Sequence, residues 1–241
     1  MTSIEFVDAS VTVDTPTDAF PNATSTILGP VTATLSEHRV GIIGANGSGK
    51  STLARLINGL VSPTAGSVSV GGLDVSRHGR EVRRRVGFVF SDADNQIIMP
   101  QVRDDVAFSL RRHRLSAAER YARADAALAR FGLSSHAEDS PHVLSGGQKQ
   151  LLALAAVLVL EPEVIVADEP TTLLDLKNRL RIRREFAHLD QQLIVVSHDL
   201  ELVSDFDRVL CIDAGRIVDD GHPAAVIAAY RERMLSLSEE R

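Results

Sequence analysis

The chain has 241 residues, a formal net charge of −6 and a hydrophobic content of 44%, which suit one large domain with a sizeable core. The acidic balance disfavours general nucleic-acid binding, and the lack of a basic segment followed by an apolar stretch at the start disfavours a signal peptide. The longest apolar run, 151–160, is about half of a membrane span, and the single Cys211 cannot form an internal disulfide, so a soluble protein of a reducing cytosol is expected.

Strands are predicted in the first part of the chain, where β-branched residues alternate with polar ones. They fall at 3–13, 31–35, 39–44, 67–70 and 86–90. A helix is expected from Lys50 to Asn58, where Gly59 ends it. The middle of the chain differs, because Ser116 and Glu119 have the spacing of a capping box before an alanine-rich stretch. This pattern predicts a helix that Gly132 terminates.

Strands and helices alternate again after residue 163. The predicted order is a strand at 164–168, a helix at 173–189, a strand at 193–197, a further helix, and a hairpin at 208–220. The hairpin should turn at Ala214 and Gly215. Because this alternation stands on both sides of a helical middle, we expect a mostly parallel sheet with a helical insertion.

Residues 44–52, GANGSGKST, match the phosphate-binding P-loop pattern G-x-x-x-x-G-K-[ST] between a strand and a helix. The glycines let backbone N–H groups turn toward a phosphate, and the helix N-terminus adds a partial positive charge. Lys50 would reach the β- and γ-phosphates of ATP, and the Ser51 hydroxyl would bind Mg²⁺. We expect every residue of the loop to bind the nucleotide: Gly44, Ala45, Asn46, Gly47, Ser48, Gly49, Lys50, Ser51 and Thr52.

The strand VIVAD ends in two acids, Asp168 and Glu169. Asp168 would hold Mg²⁺ through water, and Glu169 would polarise the water that attacks the γ-phosphate. After a P-loop, this pair predicts hydrolysis of the nucleotide rather than binding alone.

The stretch LSGGQKQ, 144–150, completes a set of motifs that also includes the P-loop, VIVADEP, LLD and VVSHD in that order. With them the chain resembles the ATP-binding cassette (ABC) family over about residues 3–230. The resemblance implies that two such domains pack head to tail around two ATP molecules. Each would then offer the partner's nucleotide four residues: Ser145, Gly146, Gly147 and Gln148. It also implies that Asp175 crosses the interface and that His198 contacts the γ-phosphate and orients the water of Glu169.

The ABC resemblance implies an α/β fold of the P-loop NTPase type. Its mostly parallel sheet core would carry an N-terminal antiparallel β subdomain and an inserted helical subdomain. One nucleotide-binding domain would span 1–241, with the core and β subdomain at about 1–90 and 161–222. The helical subdomain would lie at about 91–160, and a C-terminal helix at about 223–238.

Within the family, a transporter subunit fits better than a soluble cassette of translation or DNA repair, which usually has two cassettes or a long coiled-coil insertion. The segment 92–110 resembles the energy-coupling-factor (ECF) importers of vitamins and metal ions. Ser91 stands where the family usually has a glutamine that touches Mg²⁺, and TTLLDLKNR follows VIVADEP. Both departures are most similar to the biotin-type ATPase. The cobalt- and nickel-type ATPases are the alternative.

This resemblance implies an ATPase that energises an ECF importer from the cytoplasmic face of the membrane, as a peripheral subunit. Its expected cofactors are ATP and Mg²⁺. Its expected partners are a second ABC ATPase, identical or paralogous, an integral membrane scaffold and a substrate-binding membrane subunit, with no nucleic acid among them.

Three further hypotheses concern the metal contact, the surface that faces the membrane scaffold and the adenine site. Ser91 is assigned a contact with the metal, while Gln96 is expected to face outward with the acids around it. A coupling surface for the membrane scaffold is predicted from Asp92, Asp94, Gln96, Asp104 and Asp105. Val13 stands where the family usually stacks an aromatic ring on adenine, and Phe20 is the available substitute.

Overall fold

The computed structural model describes residues 1–15, 23–172 and 174–239. The strands in these residues are Ile4–Asp14 (β1), Thr24–Leu35 (β2), Arg39–Ile43 (β3), Ala65–Val70 (β4), Leu73–Asp74 (β5), Val86–Val89 (β6), Val164–Asp168 (β7), Gln192–Val196 (β8), Arg208–Asp213 (β9) and Arg216–Gly221 (β10). The α-helices are Lys50–Ile57 (α1), Val75–Arg85 (α2), Val102–Ser109 (α3), Ala117–Arg130 (α4), Gly146–Leu158 (α5), Leu176–Ala187 (α6) and Pro223–Glu239 (α7).

The strands form two sheets. The first is antiparallel, in the order β2-β1-β4-β5, and the second has six strands in the order β10-β9-β3-β8-β7-β6. In the second sheet only the edge pair β9 and β10 is antiparallel among the described strands. The predicted mixed α/β architecture, with a mostly parallel sheet and an antiparallel N-terminal sheet, is therefore confirmed. Because β3, β6, β7 and β8 run in parallel, the loops that follow them meet at one edge of the sheet.

Helices cover both faces of the parallel sheet. α1 packs against β7 and β8 on one face and reaches β2 and β4 of the first sheet. On the other face α5 lies against β6 and contacts α3 and α4, while α7 lies against β9 and β10. The apolar run of α5 is a core element, since Leu152 and Leu154 are fully buried. Across the described ranges no helix combines the length and the apolar character that a membrane crossing requires.

Three local predictions are confirmed. In the capping box of α4, the Ser116 hydroxyl accepts from the Glu119 amide at 3.2 Å, and the Glu119 carboxylate accepts from the Ser116 amide at 2.7 Å. The helix after the P-loop ends at Ile57, before Gly59. The final hairpin turns through Ala214 and Gly215, which have φ angles of 43° and 74°.

The helix predicted after β8 is wrong, because residues 200–205 form successive turns. Short side-chain hydrogen bonds to the backbone compete with helical ones here: the Asp199 amide donates to Ser197 Oγ and the Glu201 amide to Asp199 Oδ1. Helix α6 also starts later than predicted, at Leu176, because Asp175 caps it by accepting from the Asn178 amide at 2.8 Å.

Candidate functional site

The P-loop joins β3 to α1 and folds around its own lysine. The Lys50 ammonium is buried and donates to the carbonyl oxygens of Gly44 at 2.9 Å and Ala45 at 2.8 Å. Burial lowers the pKa of Lys50, and the nearby carboxylates of Glu169 and Asp168 oppose that shift. A phosphate bound in the loop would add negative charge beside this ammonium and so offset the cost of burying it.

Glycine is required at the first position of the loop. Gly44 has φ +144°, and an added Cβ would lie 2.0 Å from the Ile212 carbonyl oxygen of the neighbouring strand β9. The close approach of β9 therefore fixes the backbone of the loop entrance, and any larger residue would displace it.

The donor set predicted for Mg²⁺ is assembled. Ser51 Oγ donates to Asp168 Oδ1 at 2.8 Å, and Arg55 Nη2 lies 3.4 Å from Asp168 Oδ2. A hydroxyl and a carboxylate side by side match the oxygen ligands that Mg²⁺ prefers. Among the described residues no group of three or more His, Cys, Asp or Glu side chains could hold a metal by itself.

Glu169 and His198 come together although they follow different strands. Glu169 Oε2 lies 2.6 Å from His198 Nδ1 and also accepts from the His198 amide at 3.2 Å. Because the acceptor is a carboxylate, this nitrogen must carry a proton. The Glu169 backbone has φ 52°, and its amide is fixed by the Val196 carbonyl at 2.9 Å. The geometry orients a carboxylate beside the P-loop.

A cavity of about 470 Å³ lies over these groups. It is lined by Gly44, Ala45, Asn46, Ser91, Glu169, Thr172, His198 and Tyr230. Ser91 thus faces the same space as the P-loop and Glu169, as its predicted contact with the metal requires. Thr172 and Tyr230 were missed. Thr172 is the second residue after VIVADEP and could have been found there, whereas Tyr230 comes from α7 and carries no local signal.

The turn 145–148, here called the signature turn, starts α5 outside the lining of that cavity. The Ser145 hydroxyl accepts from the Gln148 amide at 3.3 Å, and the Gln148 side chain accepts from the Ser145 amide at 2.9 Å. An added Cβ on Gly147 would meet Asn178 at 2.5 Å, which places this turn beside the start of α6 and Asp175. Gly146 has nothing within 4 Å of the same position. The turn is therefore closed on its own chain's side and open outward.

Gln96 does not face outward as predicted. Its Oε1 accepts from the Phe90 amide at 3.2 Å, and its Nε2 donates to the Ala153 carbonyl of α5 at 3.3 Å. Gln150 Nε2 donates to the Phe90 carbonyl at 3.0 Å. Two glutamines thus hold both backbone groups of the residue before Ser91, because the polar backbone at the end of β6 needs partners in this half-buried place.

Asp105 is likewise wrong as a member of the coupling surface. It is only 4% exposed and accepts from the amides of Ile98 and Met99 at 2.8 and 3.0 Å. Both amides bind Oδ1, so the buried carboxylate satisfies a turn of the loop before α3 and does not face a partner at the surface. Burial raises the pKa of Asp105, and these two hydrogen bonds oppose the shift.

Of the other acids of the predicted surface, Asp92 and Asp94 are exposed and Asp104 is half-buried, and all three already have a partner. Asp94 pairs with Lys149 at 2.7 Å, and Asp104 accepts from the Tyr121 hydroxyl at 2.9 Å. Asp92 caps the 3-10 turn Ala93–Asn95. For the adenine site, Val13 is 41% exposed on β1, while Phe20 lies outside the described residues.

The profile of the ABC transporter family matches residues 29–172. The chain belongs to this family. This ABC ATPase is 49% identical to the biotin transport ATP-binding protein BioM of Rhizobium etli, over 85% of its own length and 91% of the relative's. It is 42% identical to the energy-coupling factor transporter ATP-binding protein EcfA1 of Levilactobacillus brevis, over 77% of its own length and 68% of the relative's.

Solved structures agree with the fold of this ABC ATPase. The cbiO1 protein of Clostridium perfringens, part of the ABC transporter complex cbiONQ, superposes with a TM-score of 0.77 at 30% identity and covers 97% of this chain and 94% of its own. The ATP-binding cassette MJ0796, in a dimeric post-hydrolysis state with ADP and Pi, gives 0.80 at 26% identity, over 91% and 98%. The chain is accordingly an ATPase of a kind that couples ATP hydrolysis to transport.

Proposed function

We propose that this ABC ATPase is the peripheral, ATP-hydrolysing subunit of an ECF-type importer for biotin. The observation that carries hydrolysis is the contact of 2.6 Å between Glu169 and His198 in the cavity above the P-loop. The identity to BioM proteins, 49% and 43% in two organisms, supports biotin as the solute. The serine at position 91 fits the same group.

The residues divide the reaction between them. Lys50 and the backbone amides of the P-loop would bind the β- and γ-phosphates, and Ser51 and Asp168 would hold Mg²⁺, which would neutralise charge on the phosphate oxygens. Glu169 accepts a proton from the attacking water as the water oxygen bonds to the γ-phosphorus and the bond from this phosphorus to ADP breaks. His198 donates to the same carboxylate and so keeps it in one orientation.

A second copy or a paralogue completes the site. Gly146 and Gly147 occupy the first turn of α5, where backbone amides lack helical partners, and the open side of Gly146 leaves room for a phosphate from outside. The dimeric MJ0796 relative supports this arrangement. Asp175 lies near the same face, at the start of α6.

The membrane scaffold would dock through a basic helix on the exposed acids Asp92 and Asp94 and on the half-buried Asp104. The pairing of Asp94 with Lys149 means that such a helix competes with an existing ion pair. Reversing the charge at Asp92 keeps both members of that pair, and Asp92→Asn, which can still cap the turn that carries Asp94, is the control for the lost cap. Asp92→Arg should keep ATPase activity in the isolated subunit and lose uptake in membranes, whereas normal uptake would remove Asp92 from the surface.

Uptake distinguishes the two candidate solutes. In cells that lack this chain, we expect the wild type, but not Glu169→Gln, to restore uptake of labelled biotin. A cobalt- or nickel-type importer is the second candidate, which the structural match to cbiO1 of the cbiONQ complex favours. Restored uptake of Co²⁺ or Ni²⁺ with unchanged biotin uptake would overturn the biotin proposal and leave the ATPase intact.

A further inference from the structure

The side chain of Gln148 is turned into its own chain rather than outward. Its Oε1 accepts from the Ser145 amide at 2.9 Å, and its Nε2 lies 3.0 Å from His136 Nε2. Both ends of the amide are therefore engaged before any partner arrives. As long as both bonds are kept, this side chain can reach the nucleotide of a partner only through the second hydrogen of Nε2 or the second lone pair of Oε1.

The polarity of these contacts allows one arrangement of protons. The backbone N–H of Ser145 can only donate, so Oε1 of Gln148 must face it and Nε2 must face the histidine. His136 Nε2 is then an acceptor without a proton. Its other nitrogen, Nδ1, lies 2.8 Å from Asp139 Oδ2, which can only accept, so Nδ1 carries the proton. Asp139 thus fixes the tautomer, and the tautomer fixes the amide of Gln148.

The turn that carries His136 is itself anchored. The amides of Val102 and Arg103, in the first turn of α3, donate to the carbonyls of Asp139 and Ala137 at 3.0 and 2.9 Å. The Arg103 side chain also pairs with Glu138. His136 therefore sits on a support that does not belong to α5, and it can hold the signature turn in place from outside the helix.

We propose that His136 is a positioning residue for the signature turn, acting through the amide of Gln148 on Ser145. The hydrogen bonds of the capping box use the amides of Ser145 and Gln148 and not those of Gly146 and Gly147, and His136 keeps the box closed. The role in binding a partner's nucleotide rests on the proposed function. The orientation of Gln148 by His136 is a property of the single chain.

The test compares His136→Leu with His136→Gln and His142→Leu in a Glu169→Gln background. Leucine removes the acceptor, glutamine can supply one through Oε1, and His142 is an exposed histidine closer in sequence to Ser145. With ATP, we expect His136→Leu to weaken dimer formation by roughly tenfold, as the loss of one hydrogen-bond acceptor implies. His136→Gln and His142→Leu should stay within about threefold of the parent. Affinity of the monomer for a fluorescent ATP analogue should not change.

Coupling with Gln148 supplies a readout that dimer formation does not affect. His136→Leu should lower the melting temperature of the nucleotide-free chain by about 2–4 °C, and should lower it less when Gln148→Ala is already present, because only the contact with Asp139 is then left to lose. Additive losses, or an equal loss in His136→Gln or His142→Leu, would overturn the proposal. If the parent does not dimerise with ATP but the melting temperatures remain non-additive, the proposed role in binding a partner's nucleotide fails. The positioning of Gln148 by His136 then still stands.

Discussion

The P-loop and the signature turn both place glycines at the start of a helix. The first glycine of each motif, Gly44 and Gly146, differs in how closely its own chain surrounds it. At the P-loop, β9 approaches Gly44 so closely that a Cβ would lie 2.0 Å from a carbonyl, and Lys50 is folded inside. At the signature turn, Gly146 has no neighbour within 4 Å. Gly44 thus belongs to a site that is enclosed by its own chain, whereas Gly146 leaves room on the outside for a second molecule.

The largest expected effect tests the enclosed site. Glu169→Gln should lower kcat by roughly 10²- to 10⁴-fold, because the base for the attacking water is lost, while ATP binding is kept. Steady-state phosphate release and equilibrium ATP binding measure the two quantities, and an ATP-bound dimer should accumulate. Glu161→Gln is the matched control, since Glu161 is also a glutamate with positive φ but lies outside the cavity. Unchanged turnover in Glu169→Gln would exclude it as the base.

The two glycines themselves give a sharper comparison. Gly44→Ala should lower the affinity of the monomer for ATP by about 10- to 100-fold, which corresponds to about 1–3 kcal/mol of backbone strain. Gly146→Ala should leave that affinity unchanged and weaken only the dimer formed with ATP. Titration with a fluorescent nucleotide and size-exclusion chromatography separate these effects. Equal losses of monomer affinity in both variants would show that the two turns do not differ in the way proposed.

Asp105 lies between the P-loop and the signature turn in the sequence. Substitutions at this residue are expected to change the stability of the fold. The raised pKa of Asp105 means that the folded chain holds this proton to a higher pH than the unfolded chain. Stability from this group is therefore full at pH values below the ordinary Asp pKa and falls as pH rises through the raised pKa. Asp105→Asn keeps an acceptor for Ile98 and Met99 without the charge.

The asparagine variant should therefore gain stability over the wild type between pH 4 and pH 7, as measured by urea unfolding at both values. Asp105→Ala removes the acceptor of both the Ile98 and the Met99 amide and should lower the free energy of unfolding by about 1–3 kcal/mol at either pH. If the asparagine variant loses as much as the alanine variant at pH 7, the ionised carboxylate is itself stabilising.

The smallest expected effect concerns the base of the nucleotide, where neither enclosed site nor open turn contributes. With Val13 in place of an aromatic, GTP should compete within about tenfold of ATP, because a stacking contact worth about 1–3 kcal/mol is missing. Val13→Tyr should raise the preference for ATP in competition binding. A wild-type preference of several hundredfold would mean that another side chain stacks on the adenine.

Residues that act next to their neighbours in sequence could be predicted, and residues that act across the fold could not. Lys50, Ser51 and Asp168 follow from local motifs at the ends of strands. Because β3 and β7 run in parallel in one sheet, Ser51 comes within hydrogen-bonding distance of Asp168. Gln96 was misplaced because one of its partners, Ala153, lies on a helix far along the chain. The failure at residues 200–205 has a different cause, since short polar side chains there bond to the backbone and outcompete an apolar pattern that suits a helix.

The left-handed backbone of Glu169 separates durability from turnover. Its φ of 52° costs a residue with a Cβ of order 1 kcal/mol, a cost that glycine avoids and asparagine reduces. Variants selected for heat resistance alone would thus be drawn to glycine or asparagine at this position and lose the carboxylate with it. Directed evolution of a hardier subunit needs a simultaneous selection for solute uptake, or it will discard the group on which the ATPase depends.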